Sequence, residues 1–296
     1  MKGPIFLGTA TALATPFDAS GGVDVRALEN LANWQISEGV NALVACGTTG
    51  EASTLEDDEW EVTVEAVIRA ADGRVPVIAG TGGNSTAHVL RLAKRAKALG
   101  AQAQLCVTPY YNKTSPAGLI AHYSAIADEG SLPVVIYNVP SRTGLNMAPE
   151  TLAELSRHER ILAMKEASGD IIRVADMMRL CEGRIAFYSG TDEVIIPMMA
   201  LGGQGVISVV ANVAPALTSR MTALMLAGDL KGAAELQLRL LPLIHACFCE
   251  VNPIPVKSGL HALGKCLDAL RLPLVCMTDK NRASLLSEMK ALGLLP

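Results

Sequence analysis

The sequence is short of charge. Asp, Glu, Lys and Arg make up 18% of its 296 residues, and the formal net charge is −4. That balance offers no basic surface to draw a phosphate backbone, so nucleic acid is excluded as a partner. No stretch reaches the roughly 18 consecutive apolar residues of a membrane span. No linker rich in Gly, Ser or Pro divides the chain, and no low-complexity tract interrupts it. No targeting segment is expected either. The N-terminal "MKGPIFLGTATALATPFD" is apolar, and "TALAT" faintly resembles a small-residue cleavage site. Its apolar run is short and carries Gly and Pro early, so it reads as a first strand. The seven cysteines are odd in number and irregular in spacing. They give no disulfide framework and fit the reduced thiols of a cytoplasmic protein.

Apolar residues are plentiful, at 50% of the chain. Length alone permits one large α/β domain or two ordinary ones. Eight short apolar runs read as strands: 6–13, 41–46, 75–80, 102–108, 133–138, 161–165, 185–190 and 205–210. They are almost continuously apolar, as strands of a parallel sheet covered on both faces are. Amphipathic stretches lie between them. The first helical pattern begins at Asp24 as a cap and ends at Gly39. The second follows Thr54 and ends near Gly73, and the third follows Asn84 and Ser85 and stops at Gly100. Eight strand–helix units predict a (β/α)8 TIM barrel better than a doubly wound sheet. After Gly228 the alternation stops, and 230–249, 254–267 and 279–293 all read as helices. The expected organisation is a barrel over 1–228 with a C-terminal helical extension over 229–296.

In a (β/α)8 barrel the chemistry sits at the C-terminal ends of the strands. Here those ends carry "CGTTGE" after strand two, "TPYYN" after strand four and "YNVPSRTG" at strand five. Lys165 ends strand six, "SGTDE" follows strand seven, and "GVISVV" is strand eight. Lys165 is either an ordinary cap on a buried strand or an amine that forms a Schiff base. Partial desolvation disfavours a lysine's charged form and frees the nucleophile. Three of the five tyrosines (Tyr110, Tyr111 and Tyr137) stand at strand ends four and five, where a hydroxyl can relay protons. Tyr137 is one strand away from Lys165. In "GTTGE", backbone N–H groups and the hydroxyls of Thr48 and Thr49 can hold a carboxylate; the alternative is a turn that needs those glycines for geometry alone. Arg142 offers a planar fork for a second carboxylate, or is simply an exposed loop arginine.

Other patterns carry less. "GLHALGKC" at 259–266 nearly matches a phosphate loop but ends in Cys266 and lies within a helical pattern. His245, Cys247 and Cys249 do not share one helix face, so no metal is expected there.

Taken in order, "GTTGE", "TPYYN", "YNVPSRTG", "KEASG" and "NPIPVK" resemble the dihydrodipicolinate synthase and N-acetylneuraminate lyase family of class I aldolase-type barrels. The resemblance runs from about Gly8 to the C-terminus. The paired threonines and Arg142 resemble the synthase branch; sialic acid lyases tend to have Ser-Thr in the first motif and lack that arginine. The resemblance implies that Lys165 forms an imine with pyruvate and that the derived enamine attacks L-aspartate 4-semialdehyde. Cyclisation by transimination then gives 4-hydroxy-tetrahydrodipicolinate, an intermediate of lysine and diaminopimelate biosynthesis. It implies a proton relay of Tyr137, Thr48 and Tyr111, with Tyr111 entering a neighbouring subunit's site. Thr48 and Thr49 would hold the pyruvate carboxylate and Arg142 the carboxylate of the semialdehyde. Gly190 and Ile207 would line the pocket. It implies no metal or organic cofactor and a homotetramer of tight dimers. The alternative activity is a pyruvate-dependent aldolase of the same family acting on a sugar acid or sialic acid. Where lysine-inhibited members carry a histidine and a glutamate, this sequence has Trp60 and His88, while Asn84 and Tyr110 are kept. The resemblance therefore implies weak lysine feedback.

Overall fold

The computed structural model describes residues 2–296. In chain order, the elements are β1 (Gly8–Ala12), α1 (Val25–Ser37), β2 (Ala42–Ala45), α2 (Asp57–Ala71), β3 (Val77–Gly80), α3 (Thr86–Leu99) and β4 (Ala103–Val107). Then come α4 (Pro116–Glu129), β5 (Val134–Asn138), α5 (Pro140–Thr143), α6 (Pro149–Leu155), β6 (Ile161–Glu166), α7 (Ile171–Cys181) and β7 (Ala186–Ser189). The chain continues through α8 (Ile195–Ala200), β8 (Gly205–Ser208), α9 (Pro215–Leu226), α10 (Leu230–Cys247), α11 (Ile254–Ala262) and α12 (Asp279–Ala291). Each strand pairs in parallel with the next, and β8 returns to β1, closing the barrel. The expected (β/α)8 TIM barrel with added C-terminal helices is what the chain forms.

Strand alternation sorts the residues into layers, because successive side chains point to opposite faces. Ala10, Ala42, Val44, Ile78, Ala103, Leu105, Val135, Ala163 and Ile207 fill the inside of the barrel. Small residues dominate this set, which leaves room for a few large ones. Phe6, just before β1, is one: its ring stacks on Tyr188 of β7 with centroids 4.2 Å apart. The Tyr188 hydroxyl donates to the Phe6 carbonyl at 2.8 Å. The opposite faces of the strands pack under the helices, in clusters that include Leu43, Val77 and Val206 on one side and Ile136, Ile161, Met164 and Phe187 on another.

The helix signals act as the sequence suggests, with local shifts. The Asp24 carboxylate caps α1 by accepting from the Ala27 N–H at 2.9 Å. The second helix begins at Asp57 rather than beside Thr54, because Glu56 and Glu59 form a reciprocal capping box. Gly100 ends α3 with φ +99°, a left-handed conformation that suits glycine. The helix expected over 254–267 stops at Ala262, where Gly264 takes φ +68° and turns the chain. An additional short helix, α5, follows β5, because Pro140 favours a helical start and Gly144 (φ +65°) a stop. Helix α10 packs along α9, and α12 packs across α10 and α11. Among the described residues no helix is long and apolar enough to cross a membrane.

Candidate active site

Lys165 lies next to last in β6, in the same alternating row as Ala163, so its side chain points into the barrel. It is 4% exposed. Tyr137 of β5 is its register partner, and the Lys165 Nζ lies 4.3 Å from the centroid of the Tyr137 ring. Glu166 falls on the other face of the strand. Its carboxylate is buried and accepts from Asn138 Nδ2 at 2.9 Å and from the Ser168 N–H at 2.6 Å. Asn138 also donates to Asn146 and accepts from the Met147 N–H. These bonds lash the end of β6 to the end of β5, which fixes Tyr137 against Lys165.

Space for the lysine comes from Gly190, directly after β7. A Cβ there would sit 3.0 Å from Lys165 Cε and 2.8 Å from Ala167 Cβ, too close for any larger residue without displacement. The Gly190 N–H donates to the Glu166 carbonyl at 2.7 Å. Ile207 of β8 is fully buried inside the barrel, in the same cluster as Tyr137.

The loop after β2 folds tightly. Cys46 and Glu51 both take positive φ, near +54° and +52°. Gly80 allows the Cys46 carbonyl to approach β3, since a Cβ there would lie 2.0 Å from that oxygen. Thr15 Oγ1 donates to the Gly50 carbonyl at 2.8 Å. Thr48 is half-buried, whereas Thr49 is 1% exposed and accepts from Asn252 Nδ2 at 3.0 Å. Glu51 ends the loop in a buried ion pair, with its Oε1 2.5 Å from Lys257 Nζ of α11. Lys257 also donates to the Ala269 carbonyl at 2.7 Å and lies 3.9 Å from the Phe17 ring centroid. Burial pushes the Lys257 pKa below its usual value, and the neighbouring Glu51 carboxylate opposes that shift. The second Glu51 oxygen accepts from the Arg271 N–H at 3.0 Å.

Arg142 projects from α5 and is exposed, with Nη2 donating to the Asn252 carbonyl at 3.1 Å. Both groups expected to receive carboxylates therefore touch one residue, Asn252. In the loop after β7, the buried Asp192 accepts from the Val209 and Val210 N–H groups, just past β8, at 3.0 and 3.1 Å. Burial raises its pKa, and the hydrogen bond from Ser208 opposes the rise. Tyr111 stands apart from all of these. It is 93% exposed, at φ +65°, on the loop after β4. Asn84 Nδ2 donates to the Tyr110 carbonyl at 3.3 Å beside it. Trp60 is buried, with its indole N–H spent on the Gly80 carbonyl at 2.8 Å, while His88 is half-buried and paired with Arg91.

The barrel thus gathers Lys165, Tyr137, Gly190 and Ile207, and places Thr49 and Arg142 on a shared support. It leaves Tyr111 outside. The supports Glu51, Asn252, Glu166 and Lys257 received no role from the sequence. The available signal was their position: Glu51 and Lys257 close the "GTTGE" and "NPIPVK" motifs.

A family model, the dihydrodipicolinate synthetase family, matches residues 5–292. The chain belongs to the dihydrodipicolinate synthetase family. A 4-hydroxy-tetrahydrodipicolinate synthase of Thermoanaerobacter sp. (strain X514) is 48% identical over 293 residues, covering 99% of this chain and 98% of that one. The dihydrodipicolinate synthase of Acinetobacter baumannii, solved in complex with pyruvate, superposes with a TM-score of 0.96 at 43% identity, covering 98% of this chain and 99% of that one. A monomeric dihydrodipicolinate synthase variant superposes with a TM-score of 0.96 at 42% identity, covering 98% of each chain. One structure this chain resembles is thus a monomeric variant, and family membership alone does not fix the number of subunits.

Proposed function

We propose that the protein condenses pyruvate with L-aspartate 4-semialdehyde to give 4-hydroxy-tetrahydrodipicolinate. The observation that carries the reading is Lys165, 4% exposed inside the barrel with its amine against Tyr137. In this reading, the neutral Lys165 amine attacks the pyruvate carbonyl, and loss of water leaves an imine. The imine carbon then acts as an electron sink: a methyl proton leaves and an enamine forms. The enamine carbon attacks the aldehyde carbon of the semialdehyde, and the resulting alkoxide takes a proton. The amino group of the semialdehyde finally adds to the imine carbon and expels Lys165, closing the ring and regenerating the enzyme. Tyr137, with Thr48 and a Tyr111 from a second subunit, serves as the proton relay. Thr48 and Thr49 bind the pyruvate carboxylate, Arg142 binds the carboxylate of the semialdehyde, and Gly190 and Ile207 shape the pocket. No step calls on a metal or organic cofactor.

Three further readings accompany this one. The 93% exposure of Tyr111 supports an assembly of tight dimers paired into a homotetramer, because an aromatic proton relay needs a site to enter. A sedimentation-velocity run that gives a single tetramer species supports it, and a monomer contradicts it. Cys46, Cys106, Cys181 and Cys247 are free and buried, which supports a reducing, cytoplasmic setting. Within the chain, residues 1–228 supply the groups that touch substrate, and 229–296 brace the loop after β2.

Acceptor choice tests the activity. Pyruvate consumption with aspartate semialdehyde, and little with N-acetylmannosamine or sugar-acid aldehydes, is the expected result. Equal or faster turnover with the sugar acceptors overturns the reading in favour of a sugar-acid or sialic acid aldolase.

A further inference from the structure

The short segment before α11 holds both carboxylate receptors at once. Asn252 is 6% exposed. Its side-chain Nδ2 donates to Thr49 Oγ1 at 3.0 Å, and its backbone carbonyl accepts from Arg142 Nη2 at 3.1 Å. Its other amide end, Oδ1, is buried and meets no hydrogen-bond donor among the described residues. A buried acceptor left unmade costs stability, so a fold that keeps one between Thr49 and Arg142 has a use for the group that carries it.

Hydroxyl chemistry supplies the use. A threonine hydroxyl has one hydrogen to give and two lone pairs to receive with. When the Asn252 amide donates into Thr49 Oγ1, a lone pair is consumed and the hydrogen stays free. Thr49 then presents a donor, which a carboxylate needs. If Asn252 faced Thr49 with an acceptor instead, the hydroxyl hydrogen would be spent on it. Thr49 would then offer only lone pairs to a negatively charged group.

We propose that Asn252 is a positioning residue for the condensation, its side-chain amide setting the Thr49 hydroxyl as a donor to the pyruvate carboxylate and its backbone carbonyl holding Arg142 for the second substrate. The inference rests on the proposed function, since it assigns the two carboxylates to Thr49 and Arg142. It makes the two halves of Asn252 separable. Side-chain variants disturb the pyruvate receptor, whereas the Arg142 bond, made to the backbone, survives them.

The test uses the full-length protein with Asn252→Ala, Asn252→Asp, Thr49→Val and the Thr49→Val/Asn252→Ala double variant. The wild type is first treated with pyruvate and borohydride; if it forms no adduct, the functional reading falls and this inference falls with it. With the adduct formed, pyruvate KM rises about ten-fold in Asn252→Ala, the loss of one hydrogen bond's worth of positioning. It rises further in Asn252→Asp, which is the same size but presents acceptors at both ends. The semialdehyde KM and kcat change less than about three-fold, because ground-state binding of one substrate is what was lost. In the Thr49→Val background, Asn252→Ala adds no further rise. A residue that only packs would give the reverse order, with the isosteric Asp variant nearest to wild type and both KM values moving together with the unfolding midpoint. That order, or additive effects of Thr49→Val and Asn252→Ala, overturns the inference while leaving the Schiff-base reading intact.

Discussion

Replacing Glu51 with Gln keeps the shape of the side chain and removes its charge, which leaves the Lys257 ammonium buried without a counter-ion. Lys257 and Glu51 have side-chain exposures of 0% and 1%, and their atoms are 2.5 Å apart. Water cannot take over for the lost carboxylate at such a site, and only neutral acceptors remain, the new Gln amide oxygen and the Ala269 carbonyl. Removing one partner of a buried pair costs about 3–5 kcal/mol. That is a large part of the roughly 5–15 kcal/mol that separates folded from unfolded domains. The surface pair of Lys231 and Glu235, 3.9 Å apart at 89% and 69% exposure, provides the control. Its removal by Lys231→Ala costs no more than about 0.5 kcal/mol. Chemical unfolding of the three proteins, followed by circular dichroism, reads the difference. The double variant Glu51→Gln/Lys257→Met removes the stranded charge and recovers most of the loss, since a buried pair can be exchanged for neutral groups at little net cost. Pyruvate KM should rise in Glu51→Gln as well, because Glu51 anchors the loop that carries Thr48 and Thr49. A Glu51→Gln protein no less stable than Lys231→Ala would refute the argument that this pair braces the loop.

Further outcomes follow from other parts of the molecule. Gly190→Ala places a methyl group 3.0 Å from Lys165 Cε, and a displacement of that order at the reacting amine lowers the rate of pyruvate imine formation on the order of 100-fold; rapid trapping kinetics check this. A thiol reagent labels Cys249 and Cys276 in the folded protein, whereas Cys46, Cys106 and Cys247 react only after unfolding, since burial raises their pKa values, that of Cys106 to about 12; mapping of labelled peptides distinguishes the two sets. The Arg271 fork holds the Glu59 pKa below its usual 4.5, so Glu59 stabilises the fold above that pH and ceases to as pH falls through the lowered value. Stability of the wild type therefore falls more than that of Glu59→Gln as pH drops from 7 to below 4, as a series of unfolding curves would show. L-Lysine inhibits weakly, because Trp60 is committed to the core and His88 carries no carboxylate for the effector's amine; tight, cooperative inhibition in the turnover assay counts against this.

The barrel was legible because its cause is local. Strands buried on both faces must be continuously apolar, and the helices between them must carry one apolar stripe, so composition along the chain traces the layers. Lys165 was legible for the same reason in reverse: a charge ending the apolar run 161–164 contradicts its surroundings and asks for a use. The supports of the site were not legible in this way. Glu51 meets Lys257 across 206 residues of sequence, and Asn252 meets Thr49 across 203. Nothing in the periodicity of the C-terminal helices shows which loop they face. The motif "NPIPVK" was visible as a string, but its purpose, bracing "GTTGE" from the far side of the pocket, exists only once the chain closes on itself. The sequence also left helix ends to finer contests, such as the capping box of Glu56 and Glu59, which sets the start of α2 in place of Thr54.

The most direct test of the central claim is covalent. Incubation with pyruvate and borohydride, followed by intact mass and peptide mapping, reports whether an amine of the protein forms an imine. The account predicts one reduced pyruvate adduct per chain, on Lys165, that is absent from Lys165→Arg. A folded protein that takes up no adduct, or takes it up on Lys257 or a surface lysine instead, contradicts it.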